Sequence, residues 1–135
     1  MAYDVKQIEG IGEVYGERLA KLDVHTTEDL LKKGGTKNGR QHLSEKAEIP
    51  ESLILTWVNH ADLMRITGVA GQFSELLEAS GVDTVKELSH RNPENLHTRM
   101  LEVNNEFGLS GKVPSVETLT DIIEQAKKMD QKVFH

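Results

Sequence analysis

Apolar residues near the start of the chain recur at spacings of three and four. Ile11, Val14, Tyr15, Leu19 and Leu22 form one stripe, the period of a helix with a single buried face. The spacing predicts a helix over 13–22. Thr26 and Thr27 then precede Glu28, Asp29, Leu30 and Leu31, and hydroxyls followed by acids suit the unpaired amides of a helix start. A second, short helix therefore begins there and stops at Gly34-Gly35. GRQHLSEKAEI reads as a third helix, and Pro50 opens a fourth through PESLILTWVNHADLMRI, with Leu53, Leu55, Trp57, Val58, Leu63 and Met64 among its apolar residues. No segment alternates with period two, so no strand is expected.

The chain then repeats itself. IEGIGEVYGERLAKLDVHTTEDLL, from residue 8, returns 58 positions later as ITGVAGQFSELLEASGVDTVKEL. Identities fall at Asp4/Asp62, Ile8/Ile66, Gly10/Gly68, Glu17/Glu75, Leu19/Leu77, Val24/Val82, Thr26/Thr84 and Leu30/Leu88. Ile11/Val69, Gly12/Ala70, Tyr15/Phe73 and Asp29/Glu87 keep size or chemistry. Such self-similarity predicts a duplicated supersecondary unit whose apolar face is covered partly by its twin. The second copy should place helices near 71–80 and 84–90, a third opening at Asn92-Pro93, and a last one in PSVETLTDIIEQAKKM from Pro114. The expected fold is all-α, about eight to ten short helices in one compact domain. Its two units are 1–65 and 66–135, joined by a continuous helix that runs into the second copy's glycines.

Ile8-Glu9-Gly10-Ile11-Gly12 and Ile66-Thr67-Gly68-Val69-Ala70, each set between helices, resemble the helix-hairpin-helix motif, and the repeated Leu, Val, Thr and Leu downstream extend the resemblance. In that motif glycines permit a tight turn with positive φ and close approach to a phosphate, which the next helix's exposed amides then bind. Over nearly its full length the chain is also similar to a bacterial family catalogued as a domain of unknown function and built from tandem helix-hairpin-helix units. GRQHLSEKAEIPESLILTWVNHADLMRI, GVDTVKELSHRNPENL and VPSVETLTDIIEQAKKM carry that similarity. The resemblance implies a SAM-like, tandem helix-hairpin-helix fold and, by analogy with other proteins of that motif, backbone contact with nucleic acid.

Charge complicates this picture. A formal net charge of −6 argues against wholesale attraction to a phosphate polymer. The distribution is uneven: residues 32–48 carry 5 basic and 2 acidic side chains, whereas residues 1–31 carry 3 and 7. This basic island, LKKGGTKNGRQH, sets Lys32, Lys33, Lys37 and Arg40 around Gly34, Gly35 and Gly39, and a phosphate is expected at the helix start near Arg40. Glu9 and Glu13 flank the first glycine turn and would repel a phosphate there. The second turn, Thr67 to Gln72, is neutral and follows Arg65. The candidate nucleic-acid-binding residues are therefore Gly68, Val69, Ala70, Gly71, Arg65, Lys37 and Arg40.

Other chemistry has less to stand on. The chain has no cysteine, which removes disulfides and thiolate metal sites and suits a reducing cytoplasm. MAYDVKQIEG lacks a secretory start, and no run approaches the roughly 18 apolar residues of a membrane span, so a cytoplasmic protein without a membrane partner is expected. His25, His42, His60, His90, His97 and His135 form no close-spaced ligand pair and read mostly as surface residues, so neither metal nor cofactor is expected. The basic island does not match a phosphate-binding Walker loop. Glu75 and Glu78 read as a solvated helix face, and Trp57 and Phe73 as core anchors rather than base-stacking platforms. The sequence favours a non-enzymatic, sequence-nonspecific nucleic-acid-binding module. The alternative is an acidic protein-interaction or adaptor domain.

Overall fold

The structure, a computed structural model, describes residues 3–135; Met1 and Ala2, the start of the expected unit 1–65, lie outside the described residues. Eight α-helices follow a single 3-10 turn at Val5–Gln7: α1 Gly12–Ala20, α2 Thr27–Gly34, α3 Lys37–Ala47, α4 Glu51–Leu63, α5 Gly71–Ala79, α6 Val85–Leu88, α7 Pro93–Phe107 and α8 Val116–Lys127. Among the described residues there is no strand, only an isolated antiparallel bridge between Asp4 and Thr26. The all-α expectation holds.

Apolar side chains collect into two cores. The first gathers Val5, Ile8, Ile11, Leu19, Val24 and Leu30 with Leu43, Ile49, Ile54, Trp57 and Val58. The second gathers Ile66, Val69, Leu76, Leu77, Val82 and Leu88 with Leu96, Met100, Leu119 and Ile122. Leu19 and Leu77, 58 positions apart, are both fully buried, one in each core. Tyr15 stacks obliquely on Trp57, ring centroids 5.3 Å apart, and anchors α1 to α4 in the first core.

Helix starts follow local chemistry. Thr26 caps α2 by accepting from the Asp29 amide, and the Asp29 carboxylate reaches back to the Thr26 and His25 amides, a complete capping box. Those two amides hold the Asp29 carboxyl below its ordinary pKa. Thr84 caps α6 from the Glu87 amide in the same way. The next orphan amide is satisfied differently in the two halves. Thr27 N–H donates to the Tyr3 carbonyl at 2.8 Å, whereas Val85 N–H donates to the Asp62 carboxylate at 2.8 Å.

Three expectations need correction. The third helix opens at Lys37 rather than at Gly39, because Thr36 caps it by accepting from the Gly39 amide. The link between the halves is not a continuous helix: α4 ends at Leu63, and turns lead through Ile66 and Gly68 to α5. Val14, placed on the buried stripe by its spacing, is exposed.

Gly10 and Gly68 close the two equivalent turns with φ of +93° and +94°, the region that only glycine enters without strain. Space is open around a Cβ added at Gly68, so the cost of Gly68→Ala is conformational alone. We expect it to lower stability by about 1 kcal/mol. Gly111→Ala, at an open position without positive φ, should stay within about 0.5 kcal/mol of the parent. Denaturant midpoints measured at equal slope check both values; equal midpoints for the two variants would contradict the turn geometry.

Candidate functional site

The two glycine turns lie side by side. A Cβ placed on Gly71 would stand 2.7 Å from the Gln7 carbonyl oxygen and 4.0 Å from Glu9 Oε1, so the first turn packs directly against the start of α5. Tyr3, Lys6, Gln7 and Glu9 face Met64, Ala70, Gly71 and Gln72 across an open cleft of about 470 Å³. Neither α1 nor α5 receives a side-chain cap: Ile11 and Ala70 occupy the cap positions and offer no acceptor. Unsatisfied amides carrying partial positive charge attract an oxygen. The Gln7 carbonyl and the Glu9 carboxylate lie beside Gly71, at the start of α5.

The neutral character expected of the second turn is therefore corrected. Glu9, assigned from sequence to the first turn alone, reaches the second in space. It belongs to an acidic group with Glu75 and Glu78 on α5. The Glu75 carboxyl is pushed above its ordinary pKa by burial first, then by the nearby Glu9 and Glu78 charges, with His60 opposing. His60, read from sequence as a surface residue, is 3% exposed, and its Nε2 stands 2.5 Å from Glu78 Oε2. Glu75 and Glu78 are half-buried rather than a solvated face. Of the turn residues proposed to hold phosphate, Gly68 and Ala70 are exposed, whereas Val69 and Gly71 are buried.

The cations are placed elsewhere. Arg40, expected to face a phosphate at the start of the third helix, is 3% exposed. Its guanidinium donates to the carbonyls of Gly34, Gly35 and Phe134 at 2.9, 3.1 and 2.7 Å, and burial lowers its pKa against the opposing charge of Glu51. The donors are spent on the chain's own backbone. Arg65 is likewise engaged: its Nε pairs with Asp62 Oδ1 at 2.9 Å, and Nη2 donates to the Asp130 carbonyl at 2.7 Å. Lys33 donates to the Leu22 carbonyl at 2.6 Å. Lys37, the first residue of α3, is exposed and joins no ion pair among the described residues. The structure thus does not gather Arg65, Lys37 and Arg40 beside the second turn. Instead Arg65 shares a cleft with Lys32, Lys132, Glu28 and Asp29, while Lys37 and Arg40 border one with Glu51 and His135.

Sequence reasoning missed the polar end of α4. Asn59, His60 and Asp62 are all buried there, in a helix whose other inward positions are apolar. Burial pushes the Asp62 carboxyl above the usual aspartate range, opposed by the Val85 N–H and by Arg65. The repeat carried one signal for it, since Asp62 matches Asp4, which accepts from the Lys6 amide at 2.8 Å.

Residues 9–129 match the model of the family described as Domain of unknown function (DUF4332), and the chain belongs to that family. No curated protein and no solved structure matches the chain.

Because the folded state raises the Asp62 pKa, it holds that proton more tightly than the unfolded chain does. The favourable contribution is present below the unfolded pKa and is lost as pH rises through the folded one. Asp62→Asn keeps an oxygen for the Val85 amide and removes the titration. Stability of the variant relative to the parent should therefore improve as pH rises above the ordinary aspartate value of about 4, until the folded-state carboxyl has ionised. Denaturation at several pH values checks this, and the difference between the two proteins cancels histidine titration common to both. A difference that is flat, or that falls with pH, would contradict the cost assigned to the buried carboxylate.

Proposed function

We propose that this DUF4332 member is a non-enzymatic interaction module, two helix-hairpin-helix-type units sharing α4, whose partner is a protein. One observation carries this reading. The two arginines that the sequence sets beside the glycine segments are spent inside the molecule, Arg40 on three carbonyls and Arg65 on Asp62 and Asp130, while the Glu9 carboxylate lies against the second turn. Phosphate binding draws on free cations in number, and an adjacent carboxylate opposes it. The outer surface supports a protein partner. Residues 93–126 carry 6 acidic and 2 basic side chains, and Leu101 and Phe107 are exposed on α7 among them.

A second reading, sequence-nonspecific contact with nucleic acid through Gly68, Val69, Ala70 and Gly71, keeps one observation in its favour. The first amides of α1 and α5 are uncapped beside exposed turn glycines. Lys32, Lys37 and Lys132 would then supply the attraction, since they are exposed and outside the ion pairs of the described residues.

Titration of the purified chain with duplex and single-stranded DNA separates the two. The protein-partner reading expects no saturable binding even at low salt. Saturable binding with a log–log salt slope of about −2 to −4, reduced in a Lys32→Ala, Lys37→Ala, Lys132→Ala triple variant, would establish the nucleic-acid reading instead, because three or four backbone contacts release about that many counterions.

A further inference from the structure

The last residues of the chain do more than follow α8. From Asp130 onward they have no regular secondary structure, touch both halves and reach the loop between α2 and α3. Met129, just before them, packs on the second core, whereas the Val133 side chain is buried in the first. Residue 134 is held at both backbone positions: its N–H donates to the Gly35 carbonyl at 2.7 Å, and its carbonyl accepts from Arg40 Nη2 at 2.7 Å. Along the way Arg65 donates to the Asp130 carbonyl, and Lys86 to the Gln131 side chain at 3.2 Å.

The surface that receives this segment has the properties of a peptide site. It is shaped for a backbone: a Cβ on Gly35 would stand 2.5 Å from the Lys132 carbonyl oxygen, so only glycine admits the strand at that point. It is also fixed in advance. Arg40 is aimed by the carbonyls of Gly34, the last residue of α2, and Gly35, in the receiving loop, and only its third bond goes to the incoming chain. A preorganised donor costs little ordering entropy when its ligand arrives. Main-chain bonds supply affinity in such sites, and a pocket for one side chain supplies selectivity. That side chain is Val133; Lys132 and Phe134 are exposed, so their identities are free.

The ligand is held lightly. Within 130–135 Val133 is the one buried side chain, and the other five residues are exposed. Segments with so little buried apolar surface open at low cost while the rest of the fold stays closed. We infer that the α2–α3 loop with Arg40 is a binding site for an extended peptide, filled by the chain's own residues 130–135 as a displaceable latch and open to the same segment of a second copy. Release would untie the first half from the second and leave a guanidinium, a carbonyl and an apolar pocket facing outward together. This inference stands apart from the choice of partner class above.

The test uses the full chain. Hydrogen exchange of the parent under native conditions should show the Phe134 amide exchanging at least tenfold faster than the Leu30 amide at the centre of the first core, at a rate insensitive to low denaturant. Exchange of Phe134 only at the global unfolding rate would overturn the latch. Val133→Asp removes the anchor, and Phe134→Pro removes the donor to Gly35 while leaving the anchor. A labelled synthetic peptide of residues 129–135 should bind saturably to either variant that keeps the parent's helical circular dichroism. It should bind the parent far more weakly, where the tethered segment competes at an effective concentration on the order of millimolar. The same peptide with Asp in place of Val133 should not bind. A helical variant that captures no peptide, or that captures both peptides equally, would overturn the site.

Discussion

Helix α4 serves two cores with one length of backbone, and the rest of the molecule is arranged around that demand. Ile54, Trp57, Val58 and Ala61 pack into the first core, Leu63 belongs to the second, and Met64 returns to the first. At this changeover the helix can no longer present one apolar stripe to one partner. Buried polar side chains take the positions in between, and two of them make contacts across the boundary. His60 meets Glu78 on α5, and Asp62 meets the first amide of α6 and Arg65. A buried carboxylate is costly unless its lone pairs are used, and these contacts offset part of that cost while they orient the second half on the first.

The juxtaposition of the two turns follows from that docking. Once α5 is held against α4, the start of α5 faces the 3-10 turn, and the Gln7 carbonyl and Glu9 carboxylate lie beside Gly71 at a helix terminus that lacks a side-chain cap. The attraction of a helix N-terminus for an anion does not depend on where the anion comes from. In this chain docking of the two units sets Glu9 beside the start of α5, and the acidic group at Glu9, Glu75 and Glu78 is a consequence of bringing the units together.

Much of the fold was legible because it rests on local chemistry. The threonine caps, the prolines before α4 and α8 and the glycines of the turns all act within a few residues of themselves. The unreadable parts depend on residues far apart in the chain. His60 gives no sign in sequence that it will meet Glu78, nor Glu9 that it will meet Gly71, since both contacts arise only when the second unit docks. The end of α4 was misplaced because apolar residues continue through Met64 and Ile66 after the helical backbone has stopped. Those residues are buried by the turn, and burial alone does not report helix.

The basic island shows why the candidate site was harder to read than the fold. Glycines beside an arginine mark a place where oxygen acceptors come close to backbone, and that much of the sequence signal was sound. It does not say whose oxygens. A phosphate and a run of peptide carbonyls make the same request of a guanidinium, namely lone pairs within hydrogen-bonding distance of a planar fork of donors. Charge separates them: a guanidinium serving phosphates on a polymer must reach the surface, whereas one serving carbonyls is free to be buried, since neutral acceptors bring no counterions to release. Arg40 is buried, two of its acceptors are five and six residues away, and the third is 94 residues away. That last separation is invisible to any motif, because it depends on where the chain goes after α8.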